Sequence, residues 1–143
     1  MRKLLIAFDG SDSSKRALQY VIDFAHVHAA TLDVHLLNVQ HQPVLYGEYV
    51  TGEIYAQSQE SALAHAREVL QWPADRLQEA GITHKEHTVL GNVAEQVSSI
   101  TQQLQCDTVV MGTRGLGSFT GLLMGSVATR VVHEVPVPVL LVK

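Results

Sequence analysis

Half of the chain's ten glycines, at positions 112, 115, 117, 121 and 125, stand in one stretch, GTRGLGSFTGLLMGSVATR. Small residues let a backbone come close to an anionic group. Consecutive N–H groups in such a segment can form a nest for phosphate. Gly125-Ser126 stands where a helical pattern begins, and the free N–H groups of a helix start, at its positive dipole end, favour anions. Arg114 adds a cation. The alternative is a loop that binds nothing. Neither familiar glycine motif fits. A Walker A loop needs a lysine before its Ser/Thr, and none lies between Gly112 and Ser126. The G-x-G-x-x-G begun by Gly115 and Gly117 has Thr120 in its third glycine position, which disfavours a Rossmann dinucleotide site.

A second segment, Asp9-Gly10-Ser11-Asp12-Ser13-Ser14, comes near the S-G-G-x-D-S loop of ATP-pyrophosphatases. Asp9 replaces the leading serine and Ser11 the second glycine, where a side chain would obstruct phosphate. Capping of a following helix by Ser11 or Asp12 is the simpler reading. The eight histidines include no HExxH pair, so they read as surface residues and not as a metal site. His84 and His87 fall at odd strand spacing, on opposite faces. Cys106 reads as a small buried hydrophobe, and a single cysteine excludes a disulfide framework or a multi-cysteine zinc site. No G-x-S-x-G elbow is present.

These residues need elements to hold them. Leu4–Phe8 is a short apolar run suited to a strand buried on both faces. A helical pattern follows from Ser11 to about Ala30, then a strand over Leu32–Val39. The segment from Gln40 to Gly52, with Tyr46 and Tyr49, has no period and reads as a long surface loop, able to close over a ligand or meet another subunit. Ile54 to Ala80 is helical, with a kink or break expected at Pro73 and a stop at Gly81. Ile82–Leu90 is polar and charged, as edge strands are. Helices over Val93–Leu104 and Leu123–Glu134 and strands over Thr108–Met111 and Val137–Val142 complete the chain. Alternation of this kind predicts one α/β domain over residues 1–143, a doubly wound parallel sheet with helices on both faces. In such sheets ligands bind at the carboxyl ends of strands, where the order reverses. The loops beginning at Asp9 and Gly112 stand at such ends.

Composition narrows the function classes. Ten Lys+Arg against fourteen Asp+Glu give a net charge of −4, with no basic cluster to hold nucleic acid. The apolar run at the N-terminus is too short for a signal-peptide core, and no stretch is long enough to span a membrane. The expectation is a cytoplasmic protein that binds neither nucleic acid nor membrane.

The spacing Gly112-x2-Gly115-x9-Gly125-Ser126 resembles the phosphate-binding signature of the ATP-binding branch of the universal stress proteins. The resemblance covers the whole chain: KLLIAFDGSDSSKRAL is similar to that family's first strand and helix, LLNV to its second strand, TVVMGTRG to its fourth and VPVPVLLV to its last. It implies a five-stranded sheet of order 3-2-1-4-5 that binds ATP. Ala7 would flank the adenine, and the Val39 main chain would bond its edge. Asp9 would reach the ribose or a phosphate-bound Mg²⁺, unless it only caps the first helix. Gly112, Thr113, Arg114, Gly115, Leu116, Gly117 and Ser118 would surround ribose and phosphates, and Gly125, Ser126 and Val127 would hold the outer phosphates. The function implied is a nucleotide-dependent switch in stress response, not an enzyme. An ATP-consuming enzyme of the same fold, or an interaction module without nucleotide, are the alternatives. The apolar last strand, an edge in that order, predicts a homodimer through Val137–Val142.

Overall fold

A computed structural model describes residues 1–116 and 124–143. The elements are β1 Lys3–Ala7, α1 Asp12–Val27, β2 Asp33–Gln40, α2 Gly52–Glu79, β3 His84–Leu90, α3 Val93–Gln103, β4 Thr108–Gly112, α4 Ser126–Glu134 and β5 Val139–Val142. All four strand pairings are parallel, in the order β3-β2-β1-β4-β5. This is the doubly wound sheet expected from the alternation of elements.

The alternation of side chains along β1 builds two cores. Leu4 and Ile6 face α1 and α2 together with Val34, Leu36 and Val110. Leu5 faces α3 and α4 together with Leu37, Val109 and Met111. All of β4 is buried, as is the centre of β1. The two edges differ: Lys85 and Glu86 of β3 are exposed, whereas every residue of β5 is apolar and half-buried.

Each of the first three helices starts on a side-chain cap, because a short oxygen satisfies an N–H that has no partner inside the helix. Ser11 caps α1, Thr51 caps α2 and Asn92 caps α3. Gly81 ends the turn after α2 at φ +72°, a conformation that favours glycine.

Three expectations need correction. The helix does not break at Pro73: α2 runs through it to Glu79. Ala66, Leu70, Ala74 and Leu77 are buried on both sides of the proline, so packing keeps the segment helical despite the lost backbone bond. The last helix begins at Ser126, since Met124 and Gly125 precede it; Leu123, the expected start, lies outside the described residues. Nor are all histidines at the surface. His35 is 2% exposed, because its position in β2 turns it onto a covered face of the sheet. Among the described residues no helix is long and apolar enough to cross a membrane.

Candidate functional site

The chain runs from β1 towards β3 on one side and from β4 to β5 on the other, so the order reverses between β1 and β4. A cavity of about 860 Å³ opens there, between the carboxyl ends of β1, β2 and β4 and the start of α4. Ala7, Asp9, Val39, Gly112, Thr113, Arg114, Gly115, Leu116, Gly125, Ser126 and Val127 all line it. The remaining two expected residues, Gly117 and Ser118, lie outside the described residues.

The turn from β1 into α1 shapes one wall. Gly10 takes φ +84°, which reverses the chain directly after Asp9. Asp9 Oδ1 accepts the Ser11 N–H at 2.9 Å. Asp9 is therefore not the cap of α1; Ser11 is, through its side chain and the Ser14 N–H. Asp9 Oδ2 faces Gly115, where an added Cβ would lie 3.1 Å from it. Ser11, expected to matter as a cap, does more, and Ser13 joins it. The hydroxyls of Ser11 and Ser13 donate to the Arg114 carbonyl at 3.2 and 2.6 Å, tying the start of α1 to the loop after β4.

The second wall is that loop and its return. Thr113 N–H donates to the Val142 carbonyl and Gly125 N–H to the Thr113 carbonyl, which brings the two ends of the glycine-rich stretch together. Gly112 packs so tightly on α1 that an added Cβ would lie 2.8 Å from the Ser13 backbone. Gly125 caps α4 without any side-chain bond, unlike the caps of α1, α2 and α3. Among the described residues, the first N–H groups of α4 therefore have no side-chain acceptor beside the cavity, an arrangement that suits an anion.

The inner end of the cavity is apolar, walled by Ala7, Leu37, Val39, Val93, Val97 and Met111. An apolar wall of this kind suits a hydrophobic group, with a charged group at the glycine end. Sequence reasoning missed Asn38, which is 3% exposed. Its Nδ2 donates to the Phe8 carbonyl at 2.8 Å and its Oδ1 accepts from Gln40 at 2.7 Å, fixing the exits of β1 and β2. The signal was present, as a polar residue inside the run LLNV. His41 and His65 also line the mouth and were missed. Tyr46 and Tyr49 are about nine-tenths exposed and do not line the cavity. Cys106 is buried, and burial pushes its thiol pKa up, which keeps it unreactive.

Comparison with known proteins fits this geometry. The sequence profile described as the Universal stress protein family matches residues 1–143. A universal stress protein of Thermus aquaticus is 33% identical over 143 residues, covering 99% of this chain and 98% of that one. The solved structure of the universal stress protein UspA from Lactobacillus plantarum superposes with a TM-score of 0.80 at 20% identity, over 99% of this chain and 97% of that one. An Arabidopsis thaliana family member with AMP bound gives 0.72 at 20% identity, over 100% and 92%. A universal stress protein in complex with cAMP gives 0.70 at 23% identity, over 99% and 97%. With a profile match from end to end and a relative one-third identical along its whole length, this chain belongs to the universal stress protein family.

Proposed function

We propose that the cleft binds an adenine nucleotide, ATP in the first instance, and that the bound nucleotide shifts a conformational or oligomeric equilibrium in the response to stress. The observation that carries this reading is the α4 start without a side-chain cap, which opens onto the same cavity as Asp9 and the Thr113–Gly115 backbone. The apolar slot formed by Ala7, Val39 and Met111 would take the base, and Gly115, Gly125, Ser126 and Val127 the phosphates. AMP and cAMP complexes of fold relatives support the adenine class.

Asp9 is the one carboxylate among the described residues lining the cavity. A single carboxylate suits Mg²⁺ held mainly by phosphates and water. We read the site as binding rather than turning nucleotide over, since Asp9 is the one acidic side chain among the described lining residues and its Oδ1 already accepts the Ser11 N–H. Mass spectrometry of the nucleotide released on denaturing the purified protein tests the reading. Release of ATP supports it; release of AMP or cAMP moves the ligand within the adenine class. No nucleotide, together with no calorimetric binding of added ATP, AMP or cAMP, overturns it. Turnover of bound ATP, measured alongside, separates the switch from an ATP-consuming enzyme.

A further inference from the structure

The cleft leaves one buried polar cluster unused. On the sheet face under α3, His35 of β2 and His87 of β3 are diagonal neighbours, since Lys85 stands opposite His35 and His87 opposite Leu37. Their rings stack with centroids 5.1 Å apart, and His35 Nδ1 lies 2.8 Å from His87 Nε2. The other His35 nitrogen, Nε2, is 3.4 Å from Asp33 Oδ1, off hydrogen-bond geometry. It is the one buried side-chain nitrogen or oxygen among the described residues without a hydrogen-bond partner.

An N–H···N bond needs one ring to donate and the other to accept. The Asp33 carboxylate favours the His35 proton on Nε2, which leaves Nδ1 as acceptor and makes His87 Nε2 the donor. One added proton puts a charged ring beside Lys85 at a desolvated site. A second sets N–H against N–H and destroys the bond. The surroundings do little to offset this. Lys3 of β1 shares Asp33 with the pair, at 3.8 Å, and Lys85 of β3 adds like charge. The only titratable side chain of α3, Glu95, faces Arg130 at 3.7 Å.

We propose that His35 and His87 form a proton-released latch that fastens the edge strand β3 to β2. At neutral pH the N–H···N bond holds the strands together across the sheet face; on acidification a first proton leaves that bond in place, and with the second the latch opens and β3 loosens first. β3 is the strand least able to resist, because it bonds to β2 alone and two of its residues are exposed charges. Its far end, where Gly91 N–H donates to the Gln40 carbonyl, adjoins the mouth of the cleft. The latch itself does not rest on what the cleft binds.

The sign follows from linkage. Burial lowers the pKa of both rings, with Asp33 partly opposing it at His35 and the neighbouring ring adding to it at His87. The unfolded chain therefore takes up protons first as pH falls past about 6.5. The latch's contribution to stability is whole above that pH and is lost progressively below it, until the folded pair is itself protonated.

The test is an NMR titration of the full chain, with amide exchange read at pH 7.5 and pH 5. The His35 and His87 imidazoles should titrate below the ordinary histidine value. Protection of the β3 amides, corrected for intrinsic rates, should fall about tenfold relative to β1 in the acid sample. His87→Gln, which can still donate to His35, should lessen that fall. If His35 and His87 titrate at or above the ordinary histidine value, or if β3 and β1 keep the same relative protection at both pH values, the latch is wrong. Should the variant fail to fold, the titration and exchange of the unmodified chain decide alone.

Discussion

Gly112, Gly115 and Gly125 share one stretch of sequence but are glycines for different reasons. A Cβ at Gly112 would run into the Ser13 side chain and lie 2.8 Å from its backbone, which cannot yield cheaply. Gly112→Ala should therefore lower stability by about 1–3 kcal/mol, as overpacking does, with or without nucleotide. Thermal melts check it. At Gly125 the nearest atom to an added Cβ is the Thr113 carbonyl at 3.4 Å, an ordinary contact. Its φ of −74° is open to any residue, and Gly115 is likewise outside the left-handed region. A side chain at either position would enter the cavity, and at Gly115 its Cβ would also press on Asp9 Oδ2 at 3.1 Å. Gly115→Val and Gly125→Val should fold and abolish ATP binding, and calorimetry that finds affinity unchanged in both would remove the site from this loop. Asp9→Asn separates two roles. Because Ser11 caps α1, melting should barely move, while ATP affinity should weaken by about 1–3 kcal/mol, the scale of a lost charged hydrogen-bond partner. Paired titrations and melts decide, and a melting loss without an affinity loss would return Asp9 to a purely structural role.

The elements succeed as a scaffold because short polar ties hold their ends. Asn38 joins the exits of β1 and β2 through the Phe8 carbonyl. Asn38→Leu would keep the branched shape but leave that carbonyl buried without its partner, a loss of about 1–3 kcal/mol that urea unfolding would register. A stability equal to that of the unmodified chain would mean the tie is dispensable. This tie also marks where the sequence stops being legible. Continuous apolar runs in β1 and β4, a cap at Ser11, the stop at Gly81 and the charged edge at β3 are local signals, and each one reports the structure that forms. The glycine spacing is also local, and it carries the family resemblance from which the residues around the cleft are named. Pro73 and His35 are different. Whether a proline breaks a helix depends on the packing of Leu70, Ala74 and Leu77 around it. Whether a histidine is buried depends on the partner strand that brings His87 beside it. His41 and His65 reach the cleft mouth by the same kind of long-range placement, which no spacing along the chain encodes.

At the scale of the whole molecule the open question is the free edge at β5. The strand is four residues long, Val139–Val142, shorter than the expected Val137–Val142, because Val137 and Pro138 precede it. Val109 N–H donates to the Pro138 carbonyl and Thr113 N–H to the Val142 carbonyl. Since bonding groups alternate along a strand, Pro138, Leu140 and Val142 turn their backbone groups to β4. Val139 and Leu141 turn theirs outward. Pro138 therefore withholds a donor on the β4 side and does not guard the outer edge. An apolar edge with outward N–H and C=O groups is a template for another strand, and a two-fold axis lets the same strand pair with itself. We expect a homodimer through β5. Leu141→Pro is the discriminating variant. It leaves the β4 ladder intact, removes an outward donor and puts a ring on the free edge, where proline is tolerated. The expected outcome is a folded monomer by sedimentation, with circular dichroism confirming the fold. If the unmodified chain sediments as a monomer at tens of micromolar with and without ATP, β5 is not the interface. If Leu141→Pro stays dimeric, the subunits meet elsewhere, and the exposed Val44, Tyr46 and Tyr49 of the loop between β2 and α2 become the next surface to alter.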